Sequence, residues 1–206
     1  MKDLSIDDLT MRNIDSSLER FQSARVCIIG LGGLGSNIAV MLARSSVGEL
    51  FLIDYDKVEA SNLNRQYYFV EDIGMYKSQA IKNIIGKINP FVKVHIRNIK
   101  IKEDNIEELI KGEKYIVEAL DDAESKSMLI NKILENFPDK YIISGSGMAG
   151  IGDSNSISTK KLMKNLYICG DGFSDYEKYS GMMAPRVNIC AAHQANTVLE
   201  LIFNEK

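Results

Sequence analysis

The chain has 206 residues, of which 45% are hydrophobic and 26% charged, with a formal net charge of −3. That length suits one α/β domain with an ample core, and no apolar run approaches the roughly 18 residues of a membrane span. The small negative charge and the scattering of lysines among acids exclude a nucleic-acid footprint, and the polar first 20 residues hold no signal-peptide core. A soluble, cytoplasmic protein with no membrane partner is the expectation.

The first predicted element is a strand over Arg25–Ile29, a short β-branched run of the kind buried in parallel sheets. It opens into Gly30-Leu31-Gly32-Gly33-Leu34-Gly35. A helix starts near Leu34 and carries Ile38, Met41 and Leu42 at helical spacing. Such glycines let the backbone turn sharply and approach a ligand, while the helix N-terminus offers free N–H groups to a phosphate. A turn shaped only for helix–strand packing is the alternative. Glu49–Ile53 is the next strand, ending at Asp54, which is spaced to accept hydrogen bonds from ribose hydroxyls.

Beyond it come Asn62, Arg65 and Lys77. Arg65 can fork onto phosphate oxygens, and Lys77 near a helix start is a second, mobile cation; either could equally be a solvated surface charge. The pattern then predicts a helix over 75–88, an edge strand over 92–99, a short helix over 104–111 and a buried strand over 115–120 ending at Asp121. Asp121 is a plausible Mg²⁺ carboxylate, because Mg²⁺ is held by one or two carboxylates plus substrate phosphates. It is also well placed to cap the following helix. That helix runs through Met128 and Ile133, and the strand 141–143 opens into the glycine segment 144–150. One or two short strands occupy 153–171, residues 172–181 read as a mobile segment, and a long helix covers 185–203. The alternation predicts a doubly wound, Rossmann-like, mostly parallel sheet with a small additional β region, all in one domain. Of the three cysteines, Cys27 and Cys190 read as core and Cys169 as accessible; with no Cys-x-x-Cys pair, no zinc is expected.

Asp54-Tyr55-Asp56-Lys57-Val58 followed by Ser61-Asn62-Leu63-Asn64-Arg65-Gln66 resembles the signature of the ThiF/MoeB adenylyltransferases, relatives of the ubiquitin-activating enzymes. Ile88-Asn89-Pro90, Leu120-Asp121-Asp122 and Met183-Ala184-Pro185 follow in the family's order, and the compact length is similar to the short ThiF branch linked to thiamine biosynthesis. The resemblance implies ATP and Mg²⁺ at a site of Gly30, Gly32, Gly33, Gly35, Asp54, Asn62, Arg65, Lys77 and Asp121, with Asp121 associated with the metal. It implies adenylylation of the C-terminal glycine of a small ubiquitin-like sulfur-carrier protein ending in Gly-Gly, with sulfur from a separate donor. It also implies a homodimer in which an N-terminal arginine, Arg12 or its competitor Arg20, reaches the partner's nucleotide from a 1–20 arm with little reason to be ordered within its own subunit. Residues 153–184 become the carrier-binding and crossover region. The Tyr67-Tyr68-Phe69-Val70 patch and the terminal helix offer surfaces for pairing, unless both are core. Within adenylylation a molybdopterin or cysteine-type pathway, or a modified tRNA base as substrate, stays open beside thiamine. Two other readings compete: an NAD(P)-dependent oxidoreductase, which the glycine turn and Asp54 alone would favour, and a non-catalytic nucleotide-binding member.

Overall fold

The computed structural model describes residues 4–174 and 181–205. The expected mobile segment therefore falls largely outside the described residues. Seven strands form one sheet in the order β3-β2-β1-β4-β5-β7-β6. They are β1 (Arg25–Ile29), β2 (Glu49–Ile53), β3 (Lys93–Arg97), β4 (Tyr115–Glu118), β5 (Tyr141–Gly145), β6 (Ser158–Met163) and β7 (Leu166–Gly170). All neighbours are parallel except β6, which runs antiparallel along β7 at one edge. The strands of the last third thus extend the main sheet.

The burial of each strand follows its place in that order. β1 and β4 are enclosed on both faces, and their sequences are nearly continuous apolar runs. β3 lies at the opposite edge from β6 and alternates half-buried Val94 and Ile96 with exposed Lys93, His95 and Arg97. On one face lie α2 (Ser17–Ser23), α3 (Gly33–Arg44), α4 (Lys77–Ile88) and α7 (Ala184–Phe203), packed through Phe21, Ile38, Leu42, Ile81, Val187 and Val198. The other face is covered by α5 (Ile106–Ile110) and α6 (Ala123–Asn136) through Ile106, Ile110, Leu129 and Ile133. Each fully buried Ile or Leu side chain contributes about 1.5–3 kcal/mol relative to an exposed one.

Two expectations change here. The N-terminal arm is ordered within its own subunit: α1 (Ile6–Thr10) is capped by Ser5 and Asp8, and Phe21 of α2 reaches the core. The Tyr67–Val70 patch divides, with Phe69 and Val70 51% and 77% exposed while Tyr68 turns into the core, and α7 is not a free pairing surface. Tyr68 is 6% exposed, and α7 buries Val187, Cys190, Ala191, Ala195, Val198 and Ile202.

Register sets the site. Ile29 lies level with Ile53 on one side and Glu118 on the other. The loops leaving β1, β2 and β4 therefore emerge together, at the point where strand order reverses direction. Ligands of open α/β sheets bind in that crevice.

Candidate nucleotide site at the sheet's switch point

The glycines of the β1–α3 turn divide by use. Gly30 has φ +89°, and a Cβ there would fall 2.5 Å from the Ala119 carbonyl oxygen. A Cβ on Gly35 would fall 1.8 Å from the Gly30 oxygen. Close packing explains both. Gly32 is different: a Cβ there would meet only the Gln66 amide nitrogen, at 3.8 Å. Packing alone therefore leaves an open approach to the backbone at Gly32, where α3 begins. Gly33 lies under Val187 and the stem of Arg65.

Asp54 fixes this turn to β2. Its two carboxylate oxygens accept the N–H groups of Leu31 at 2.6 Å and Asp56 at 2.7 Å. Burial raises its pKa, against the lowering effect of the Asp56 N–H, Lys77 and the Leu31 N–H. The Tyr68 hydroxyl donates to the Leu31 carbonyl at 2.8 Å, so the Leu31 peptide is held at both ends. Asn37 ties the turn to the next loop, donating from one amide to the carbonyls of Gly33 (2.7 Å) and Arg65 (2.9 Å). Ser36 accepts the Tyr67 N–H at 3.0 Å and donates to the Gly32 carbonyl at 2.6 Å. Ser36 and Asn37 were not singled out from sequence, and Tyr68 was named only as part of a pairing patch. The available signal was two polar residues in the first turns of a helix whose later turns are apolar.

The loop after β2 presents Asn62 and Arg65. Asn62 ends a 3₁₀ turn, accepts the Glu59 N–H at its side-chain oxygen (3.1 Å), and leaves its amide nitrogen only a 3.5 Å contact to Ser61. The Arg65 guanidinium donates to the Asn64 side chain (2.7 Å) and the Ser61 carbonyl (3.3 Å). Both acceptors are neutral, and Arg65 makes no ion pair among the described residues, so its charge is uncompensated beside the glycine turn.

Lys77 departs from the sequence reading. It is 7% exposed and its ammonium lies 2.9 Å from the Asp56 carboxylate. It is a buried, paired cation and not a mobile one, because α4 begins at Lys77 itself and the Lys57–Tyr76 bridge presses this end onto the Asp56 loop. Asp121 is exposed and makes no hydrogen bond or ion pair among the described residues. The helix cap is its neighbour: Asp122 accepts the Ser125 N–H at 2.7 Å, and the Ser125 hydroxyl together with that N–H holds its carboxyl below the usual range. A lone free carboxylate suits Mg²⁺ in its usual setting, where phosphates and water supply the other ligands. No group of three or more His, Cys, Asp or Glu side chains among the described residues could hold a metal by itself.

The second glycine segment is occupied by the protein. A Cβ on Gly145 would lie 2.5 Å from Leu34, and one on Gly147 would lie 2.1 Å from the Asp171 carboxylate. Asp171 in turn pairs with buried Arg186 at 2.5 Å, and Arg186 also donates to the Asp153 carbonyl and the Ser156 hydroxyl. Burial pushes the Asp171 pKa up, but the N–H groups of Ser174 and Phe173, the Ser174 hydroxyl and Arg186 outweigh it and bring the value down to about 2. Cys169, expected to be accessible, is fully buried, and burial raises its thiol pKa.

The two candidate arginines of the arm separate. Arg20 donates to the carbonyls of Phe203 and Glu205, and so ties α2 to the end of the chain. Arg12 is exposed in the turn after α1, with no partner among the described residues. Two clefts of about 360 and 310 Å³ open elsewhere, at the N-terminal ends of the strands. The first is lined by Arg20, Arg25 and Lys114, whose charges or donors are taken up by Glu113, Glu49, Glu205 and backbone carbonyls.

Comparison with known proteins agrees with this architecture. The tRNA threonylcarbamoyladenosine dehydratase of Haemophilus influenzae is 34% identical over 152 residues, covering 73% of this chain and 58% of that protein. The adenylyltransferase and sulfurtransferase UBA4 of Debaryomyces hansenii is 35% identical over 130 residues, 63% of this chain and 29% of that protein. This chain thus spans less than three fifths of either relative. The crystal structure of the Escherichia coli tRNA N6-threonylcarbamoyladenosine dehydratase in complex with AMP superposes with a TM-score of 0.85 at 21% identity, covering 95% of this chain and 93% of that one, a likeness of fold. The ThiF family model matches residues 8–206, and the chain belongs to the ThiF family.

Proposed function

We propose that this protein adenylylates a carboxylate with ATP. The observation that carries the reading is the uncompensated Arg65 guanidinium, held by its stem against Gly33 beside the open backbone at Gly32. In the reaction a carboxylate oxygen attacks the α-phosphorus, the bond to the β-phosphate oxygen breaks, and pyrophosphate leaves as the acyl-adenylate forms. Gly30, Gly32, Gly33 and Gly35 shape the turn that admits the phosphates, and Asp54 accepts from the ribose. Asn62 and Arg65 bind phosphate oxygens. Lys77 joins them by exchanging its Asp56 partner for a phosphate oxygen. Bound through Asp121, Mg²⁺ would neutralise charge on the departing pyrophosphate. No side chain acts as nucleophile; positioning and charge neutralisation supply the catalysis. Membership of the ThiF family is the ground for preferring nucleotidyl transfer over hydride transfer to NAD(P).

The acceptor in this reading is the C-terminal Gly-Gly of a small ubiquitin-like sulfur carrier, feeding thiazole formation, with sulfur delivered by a separate protein. The net charge of −3 and the UBA4 relative favour a protein acceptor. The enzyme works as a homodimer with Arg12 completing the partner's site, since Arg20 is committed to the carbonyls of Phe203 and Glu205. A second reading, a carboxylate carried on modified tRNA, is favoured by the dehydratase relative. Exchange of labelled pyrophosphate into ATP tests both. Exchange dependent on a Gly-Gly carrier is expected; exchange that only threonylcarbamoyladenosine-bearing tRNA supports would establish the second reading, and none with either would remove the activity.

A further inference from the structure

Glu118, the last residue of β4, is fully buried and lies three residues before Asp121. One carboxylate oxygen accepts the Leu120 N–H at 2.7 Å. The other accepts the Lys126 ammonium and the Ser144 hydroxyl, each at 2.5 Å. Lys126, in the first turns of α6, also donates to the Gly145 carbonyl at 2.9 Å. The Gln194 amide of α7 donates to the carbonyls of Glu118 and Ile143, both at 3.1 Å.

A carboxylate–ammonium pair whose Glu118 side chain is fully buried and whose Lys126 side chain is 22% exposed is a poor device for stability. Desolvation offsets its attraction, and an apolar pair of equal volume commonly serves as well or better. What this pair does geometrically is more specific. It joins the last strand residue, two positions before the Leu120-Asp121-Asp122 turn, to a residue of the helix after it, and it bonds the turn's own Leu120 N–H. It also spans the ends of β4 and β5. The Ala119 N–H next to it donates to Ile29 at 2.9 Å, and the Ala119 carbonyl is the wall against which Gly30 fits.

We propose that Glu118, with Lys126, is a positioning pair that aims the Asp121 carboxylate, and hence sets how strongly divalent metal assists nucleotide binding. The proposal rests on the nucleotide reading of the site. Groups that orient a metal's ligands typically change metal affinity about 10–100-fold when removed.

Two variants test it: Glu118→Gln, which keeps an acceptor for Leu120 but loses the charge pair, and the double variant Glu118→Leu/Lys126→Met, which replaces the pair by apolar volume. The first measurement is amide hydrogen exchange on the protein without nucleotide. Faster exchange confined to residues 119–125 is expected in both variants, with melting temperatures close to wild type. The second is ATP affinity by calorimetry, with Mg²⁺ and with chelator. ATP affinity in chelator should stay within about twofold of wild type, while the gain that Mg²⁺ confers falls about tenfold. Wild-type exchange at 119–125 together with an undiminished Mg²⁺ gain would overturn the proposal. So would general unfolding of both variants, which would make the pair a plain structural requirement. Wild-type protein that binds no ATP would overturn the nucleotide reading itself, and this proposal with it, whatever the exchange data.

Discussion

Two glycine-rich segments of this chain sit at the ends of β1 and β5, parallel strands separated by β4, and serve opposite purposes. In the turn after β1, Gly30 and Gly35 are filled by backbone, but Gly32 is left open and a charged guanidinium stands beside it uncompensated. In the segment after β5, the space at Gly145 and Gly147 is taken by Leu34 and Asp171, and the nearby charges are paired with each other. Composition is similar in the two. The difference is whether polar capacity is used up internally or left open, and that difference makes the first the candidate binding site and the second a joint that locks the start of α7 onto the sheet.

The largest effect should come from breaking the joint. Arg186→Met leaves Asp171 buried and unpaired, and should cost roughly 3–5 kcal/mol in chemical denaturation; a loss below about 1 kcal/mol would show the last third to be loosely held. The pair is also acid-sensitive. Asp171 binds its proton less tightly folded than unfolded, so its contribution is present above the ordinary aspartate pKa of about 4 and is lost as pH falls toward about 2. Asp171→Asn should flatten stability against pH across that window, and a slope unchanged from wild type would refute the assignment.

On the binding side, Asp121→Ala should lower pyrophosphate exchange about 100-fold or more with the melting temperature unchanged. Full exchange with an unaltered Mg²⁺ optimum would take Asp121 out of the mechanism. The comparison itself is sharpened by alanine in each segment. Gly32→Ala meets nothing closer than 3.8 Å and should weaken ATP binding about tenfold for little loss of stability. Gly147→Ala, at φ +82° and 2.1 Å from Asp171, should lose stability first and leave ATP affinity of the folded fraction intact. The reverse pattern would exchange the two roles. The smallest expected effect separates the arginines: Arg20→Ala should cost below about 1 kcal/mol of stability and spare exchange. Arg12→Ala should do the opposite, and mixing it with Arg65→Ala subunits should restore part of the activity. Absence of rescue despite confirmed subunit exchange would remove the shared site.

The sheet was legible because its elements are strongly periodic and bounded by Gly, Asn and Pro. β1, β2 and α3 match expectation to within a residue, while the strand over 115–120 stops at Glu118 and that over 92–99 narrows to Lys93–Arg97. Of the residues singled out from sequence, Arg65 and Asp121 make no ion pair among the described residues, as a sequence reading of free polar groups expects. Lys77 was misjudged because nothing local tells a lysine at a helix start that an aspartate 21 residues earlier folds onto it. Cys169 was misjudged because the glycines that follow it suggested a loose loop, whereas Gly170 is packed against the Ser146 carbonyl.

By itself the sequence determined the strand–helix alternation, the glycine turn with its acidic partner, and the family. These follow from near-neighbour physics: side-chain periodicity, turn chemistry, and residue types at fixed spacing. Only the tertiary structure decided which glycines are filled and which are open. The same holds for which arginine of the arm is spoken for and for the buried Glu118–Lys126 pair behind Asp121. Those outcomes depend on contacts between segments up to 185 residues apart, as with Arg20 and Glu205. A charge is free or satisfied only with respect to what the fold brings to it.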